Sequence, residues 1–186
     1  MNVVIVGMRG AGKSNVSRRL ALISKRPALS TDDLVRYETG LSIPEFVREE
    51  GWPTFRDVEC QVLEKLLAID SAVIDCGGGI MVDVDDSGSE VFSKRKAELL
   101  SQLGTVVWLA GDLDRLAAKA NRGKRPVLSD AISVRDIMER RLPWYEQIAD
   151  VTVNIEGMKR QAIAEKIAVD LLGGWSDPGS EKVPGK

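Results

Sequence analysis

A short apolar run, Asn2-Val3-Val4-Ile5-Val6, leads directly into Gly7-Met8-Arg9-Gly10-Ala11-Gly12-Lys13-Ser14, a complete G-x-x-x-x-G-K-[ST] phosphate-binding loop. That order constrains the fold. A buried strand ends, glycines let successive backbone N–H groups converge, and a helix begins at about Lys13 with the positive end of its dipole at the concavity. A polyphosphate fits such a cradle. The spacing predicts Gly10, Ala11, Gly12, Lys13, Ser14 and Asn15 as nucleotide-binding residues, with Lys13 reaching the β and γ phosphates and the Ser14 hydroxyl ligating a magnesium ion between them.

The rest of the chain alternates short apolar runs with amphipathic stretches. Strands are predicted over residues 2–6, 28–30, 71–76, 105–109 and 150–154. Helices are predicted over about 13–25, 32–39, 43–50, 54–69, 89–102, 112–120, 133–148 and 158–172. This βαβα order predicts an α/β fold, a parallel sheet covered on both faces, with ligands outside the carboxyl ends of the strands. The functional loops therefore follow Val6, Ser30 and Cys76. Residues 173–186 are rich in Gly, Ser, Pro and charge, have little to bury, and are expected to form a disordered tail after a single domain of residues 1–172.

Composition narrows the chemistry. A chain of 186 residues buries roughly 70% of its unfolded surface and needs no disulfide or structural metal. Its two cysteines, Cys60 and Cys76, are expected to be buried and reduced. With 26 basic and 28 acidic residues the net charge is −2, which gives no electrostatic footprint for nucleic acid or an anionic membrane. No apolar run approaches membrane-spanning length and no targeting signal is visible, so a cytoplasmic protein is expected. There is no histidine, so proton transfer falls to a carboxylate, lysine, tyrosine, cysteine or water.

Polar and glycine residues collect after the second and third strands. Thr31-Asp32-Asp33 follows Ser30, and Asp32 is either a base aimed at the phosphates or a helix N-cap. Asp75-Cys76-Gly77-Gly78-Gly79 allows backbone N–H groups close to a ligand. Arg56 opens a long helix and Arg141 interrupts a later one at Arg141-Leu142-Pro143-Trp144-Tyr145. Each is either a solvated surface residue or, if the two converge, half of a pair for a carboxylate, which a guanidinium fork binds bidentately.

These motifs occur together in a known family. The loop Gly7–Ser14, Thr31-Asp32 followed by Glu38-Thr39-Gly40 and Ser42-Ile43, Phe55-Arg56 with Glu59, Gly77-Gly78-Gly79, Arg125-Pro126-Val127-Leu128 and Arg141-x-Pro-x-Tyr145 stand in the order and approximate spacing of shikimate kinases. The chain resembles that family over about residues 2 to 170. The resemblance implies a three-layer α/β/α P-loop fold of nucleoside-monophosphate-kinase type, with a five-stranded parallel sheet and a mobile lid at about 121–130. It implies transfer of the γ-phosphoryl of ATP to the 3-hydroxyl of shikimate, with Mg²⁺ as cofactor, ATP and shikimate as partners, and a monomeric state. By position it makes Lys13, Asp32 and Arg125 catalytic, with Arg125 on the lid also contacting nucleotide. It gives shikimate to Asp32, Arg56, Gly77, Gly78, Gly79 and Arg141, with the two arginines on the carboxylate. Adenine falls to Lys119 or Arg122, with Lys159 or Arg160 after the last strand.

Three departures stand out. Most shikimate kinases carry aspartate, holding a magnesium-bound water, where this chain has Ser30. Asp75 ends the third strand at a slot where the family usually has a small or hydroxyl residue. It either replaces the missing carboxylate, binding metal through water, or caps a turn. Val47 stands where the family commonly has an aromatic lining the substrate pocket, and Asn15 where it prefers Thr or Ser. A kinase for another small hydroxy acid, or a nucleotide-binding homologue without turnover, are the competing readings.

Overall fold

The structure, a computed structural model, describes residues 1–121 and 133–173. Strand β1 (Asn2–Val6) is buried along its whole length, as expected of a central parallel strand covered on both faces. It pairs on one side with β3 (Val73–Asp75), Val3 opposite Val73, and on the other with β6 (Gly104–Ala110), Asn2 opposite Gly104. Strands β2 (Ala28–Ser30) and β7 (Val151–Asn154) complete a five-stranded parallel sheet of order β2-β3-β1-β6-β7. The chain thus reaches the edge at β2 before returning to β3, then crosses beyond β1 to β6. The crevice at the carboxyl ends around β1 is where such a sheet binds its ligands.

Helices α1 (Lys13–Ser24), α2 (Thr31–Thr39), α3 (Ile43–Leu66), α4 (Lys94–Leu103), α5 (Leu113–Asn121), α6 (Val134–Ile148) and α7 (Arg160–Leu172) cover the sheet. α1 packs on α7, and α3 on α2 and α4. The side chains of Val3, Ile5, Leu20, Leu63, Ile74, Leu109 and Ile163 form the centre of one core with no exposed surface. Two helices were expected over 43–50 and 54–69. They run as α3 with a break at Gly51 (φ 80°, ψ 170°), a backbone that glycine adopts without penalty, with Pro53 two residues on. A reciprocal capping box of Ser42 and Glu45 starts α3.

The expected helix over 89–102 is in part wrong. Residues Val82–Val84 and Glu90–Phe92 form an antiparallel hairpin, β4 and β5, and α4 starts only after Ser93, whose hydroxyl accepts from the Lys96 amide. The turn is built on Asp85, whose carboxylate accepts from the amides of Ser87 and Ser89, and on Gly88 at φ 80°. Glu90-Val91-Phe92 pairs with β4, and that pairing with the β propensity of Val91 and Phe92 outweighs the helix propensity of the glutamate. The expected lid (residues 121–130), Arg122, Arg125 and the expected tail from Gly174 lie outside the described residues, except that Asn121 closes α5.

The hairpin is tied to α3 and α4 by charge. The Asp83 carboxylate accepts from Arg95 Nε at 3.0 Å and from the Ser93 hydroxyl at 2.7 Å, and Lys96 lies 3.5 Å away. Burial alone would raise its pKa, but these donors outweigh it and hold it at about 2, against an ordinary value of 3.8. A carboxylate depressed in this way stabilises the fold above its unfolded pKa and loses that contribution as pH falls through about 2. Asp83→Asn is therefore expected to lose roughly 2 kcal/mol at pH 7. In urea titrations the gap between variant and parent closes between pH 4 and pH 2.

Candidate active site

The phosphate loop ends in three glycines at positive φ, Gly7 (148°), Gly10 (88°) and Gly12 (88°), and Gly12 is the N-cap of α1 with no side-chain cap. The open N-terminus of a twelve-residue helix leaves its first amides and dipole for an anion. Side chains are excluded by position as well as by φ. A methyl group on Gly10 would stand 3.0 Å from the Leu116 carbonyl oxygen, and one on Gly12 would stand 2.4 Å from Arg160 Nε. Lys13 Nζ donates to the Met8 carbonyl at 3.3 Å, arching back over the loop.

On the neighbouring strand, Ser30 is the N-cap of α2 and its hydroxyl accepts from the Asp33 amide. Asp32 therefore sits in the first turn and is not the cap, which removes one of the two readings open for it. Thr31 Oγ1 accepts from the Gly77 amide at 2.9 Å and draws the two loops together. A methyl group on Gly77 would meet Asp32 Oδ1 at 2.5 Å, and one on Gly78 would lie 3.7 Å from Lys13 Nζ. Asp32 and Lys13 thus face one glycine segment from two sides.

Ser30 and Asp75 are direct register partners on β2 and β3. The Asp75 side chain is buried, the Ser14 hydroxyl bonds it, and its Oδ1 has no hydrogen-bond partner. Burial raises its pKa, with the Ser14 bond and the Lys13 charge acting the other way. Asp75 thus lies beside the phosphate-loop serine with one oxygen unsatisfied. A hydroxyl and a carboxylate are the hard oxygen donors that suit Mg²⁺, an ion that retains most of its waters. Cys76, next in sequence, is a buried free cysteine as expected, and burial pushes its thiol well up.

Arg56 and Arg141 converge. Arg56 Nη1 donates to the Gly79 carbonyl at 3.0 Å and to Glu59 at 2.7 Å, while its guanidinium lies 5.1 Å over Trp52 and 5.2 Å over Phe55. Arg141 Nη1 donates to the Gly78 carbonyl at 3.2 Å, and Tyr145, stacked on Trp108, donates its hydroxyl to the same oxygen at 2.8 Å. A methyl group on Gly79 would contact Arg56 Nη2 at 3.1 Å and Arg141 Nη1 at 3.5 Å. The two cations, 85 residues apart in sequence, therefore flank one glycine.

Lys13, Ser14, Asp32, Asp75, the glycine segment and the two arginines line one cleft of about 1090 Å³, large enough for a nucleotide beside a small acceptor. Lys119 and Asn15 line it too, and Asn15 Oδ1 accepts from Arg19. Arg160 lies against the phosphate loop, and Lys159 is the N-cap of α7. Val47 is half-buried against the core, and Trp52, Phe55 and Ile43 are among the apolar residues that line the cleft. Sequence reasoning missed Lys96 and Glu90. Lys96 is fully buried and bonds Glu59 at 3.1 Å, and Glu90 receives both Nε and Nη2 of Arg141. The alternating Val82-Asp83-Val84 followed by the turn residues Asp85-Asp86-Ser87-Gly88 was the signal available for the hairpin that carries Glu90.

The sheet order, the phosphate loop and the facing arginines define a P-loop kinase for a small anionic acceptor. The shikimate kinase family model matches residues 9–172, and the chain belongs to that family. A shikimate kinase of Leptospira biflexa is 43% identical over 175 residues, covering 93% of this chain and 96% of that protein. The structure of an Acinetobacter baumannii shikimate kinase in complex with shikimate superposes with a TM-score of 0.80 at 29% identity, over 97% of this chain and 95% of that one. An Aquifex aeolicus shikimate kinase, 24% identical, shares the fold with a TM-score of 0.76 over 93% of this chain and 97% of that one.

Proposed function

We propose that residues 1–172 act as one kinase domain that transfers the γ-phosphoryl group of ATP to the 3-hydroxyl of shikimate, giving shikimate 3-phosphate and ADP in the pathway to chorismate. The observation that carries the assignment to these residues is the convergence of Arg56 and Arg141 on Gly79, with Asp32 and Lys13 meeting the same glycine segment. A carboxylated alcohol suits that arrangement. Its carboxylate lies between two guanidinium groups, its ring lies against Gly77, Gly78 and Gly79, and its hydroxyl meets Asp32 between ring and phosphates.

In the transfer step the acceptor oxygen forms a bond to the γ-phosphorus as the bond to the β-γ bridging oxygen breaks, and the hydroxyl proton passes to Asp32. Lys13 and the amides of Gly10, Ala11 and Gly12 balance charge on the phosphates, with Asn15 at the outer edge. Ser14, with Asp75 through water, would hold Mg²⁺, which draws β- and γ-phosphate charge together. Arg125 keeps the role its motif implies, a cation at the transferred phosphoryl group. Ser30 caps α2, and in this reading the carboxylate's place is taken by Asp75, its register partner on β3. Lys119 and Arg160 are the adenine-side candidates. The net charge of −2 favours small-molecule partners over nucleic acid, and no described helix is long and apolar enough to cross a membrane. We take the protein to work as a cytoplasmic monomer on ATP and shikimate.

Two measurements test this reading. ADP release with MgATP and shikimate is expected in the parent, to fall by on the order of 10³-fold in Asp32→Asn, and to be far weaker with quinate. Undiminished turnover in the variant would remove Asp32 from the chemistry. Calorimetric titration of ADP at varied Mg²⁺ should show Asp75→Ala needing about tenfold more Mg²⁺ for half-maximal tightening, with Ser30→Ala close to the parent. Equal, small effects would exclude Asp75 from the metal's surroundings.

A further inference from the structure

We propose that Glu90, on the β4–β5 hairpin, is the positioning residue that sets Arg141 for the acceptor's carboxylate. The inference rests on the reading of Arg141 as a carboxylate ligand. A guanidinium has five N–H donors. Glu90 takes two of them on one edge, Nε to Oε2 at 3.0 Å and Nη2 to Oε1, and the Gly78 carbonyl takes a third from Nη1. One N–H remains on each terminal nitrogen, which is the pair a second carboxylate accepts bidentately.

The contact belongs to a built interface. Period-two alternation puts Glu90 and Phe92 on one face of β5, and helical spacing puts Arg141 and Trp144 on one face of α6. The second pair of that match is also made, since the Phe92 and Trp144 rings lie 6.1 Å apart. The Glu90 side chain is 3% exposed and that of Arg141 is 16%. A carboxylate so far out of water needs its cation, and a cation so held has few other orientations. Arg56 is arranged in the same way, by buried Glu59 and the Gly79 carbonyl. Each site arginine is thus fixed by one glutamate and one glycine carbonyl before an acceptor arrives, which lowers the side-chain entropy lost on binding.

The test is steady-state kinetics and thermal melts on the parent, Glu90→Gln, Glu90→Ala, Arg141→Ala and the double variant Glu90→Ala/Arg141→Ala. Glu90→Ala is expected to raise KM for shikimate by about tenfold or more while kcat changes less than about threefold and KM for ATP is unchanged. Glu90→Gln, which keeps the shape and one acceptor oxygen, should lie between, and it stands in if the alanine variant does not fold. In the Arg141→Ala background, removal of Glu90 should add less than about twofold, because both changes disable one unit. Three results would overturn the proposal: a shikimate KM that is unchanged or lower without Glu90 while Arg141→Ala raises it, fully additive effects in the double variant, or a parallel rise in both KM values. If Arg141→Ala itself leaves the shikimate KM unchanged, the carboxylate reading of Arg141 fails, and the role of Glu90 fails with it.

Discussion

The cleft depends on the backbone of Gly77, Gly78 and Gly79. The carbonyl oxygens of Gly78 and Gly79 accept from Arg141, Tyr145 and Arg56, and the Gly77 amide donates to Thr31. On the other side of the same three residues, Asp32, the Arg9 amide and Lys13 stand where a side chain would otherwise be. A single methyl group at Gly77 would need about 2.5 Å of approach to Asp32 Oδ1, closer than real contacts allow. Phosphate loop, acceptor carboxylate ligands and candidate base are brought together because this segment follows β3, which pairs directly with both β1 and β2.

Around that segment the protein pairs charge in matched sets, buried at Glu59 and Glu90 and partly exposed at Asp83. Glu59 receives Arg56 and Lys96, Glu90 receives Arg141, and Asp83 receives Arg95 with Lys96 nearby. Burial lowers the pKa of Lys96, and the charge of Glu59 works to keep its proton on. Such pairs cost desolvation and are weak as a source of stability, whereas losing one partner strands the other. What they do supply is direction: two guanidinium groups with fixed orientation, each with an edge left for a ligand. Phosphoryl transfer draws most of its rate from positioning and charge placement, so rigidity in the acceptor site bears on the reaction directly.

Much of this was legible in the chain. The strand-loop-helix context of Gly7–Ser14 led to β1, the cradle and α1 within a residue, because glycine spacing and the apolar run are local signals. The five sheet strands were likewise visible as short apolar runs. The hairpin was not, since Lys94, Arg95 and Lys96 just beyond it favour a helix and only the three residues Val82-Asp83-Val84 carry a period-two pattern. Glu90 and Lys96 could not be found from spacing, because their partners lie 51 and 37 residues away. Asp32 was left between cap and base until Ser30 was seen to hold the cap. Asp75 was left between turn and metal, and to that choice the structure adds an unsatisfied oxygen beside Ser14.

The central claim is that the acceptor is recognised through its carboxylate by Arg56 and Arg141 held on the glycine segment. Isothermal titration of shikimate and of shikimate methyl ester into the protein saturated with MgADP tests it most directly. The ester keeps the ring and hydroxyls and removes only the charge. It should bind on the order of 100-fold more weakly, because both guanidinium groups then face a neutral acceptor. Equal affinity for acid and ester would contradict the account and move acceptor recognition away from the arginine pair.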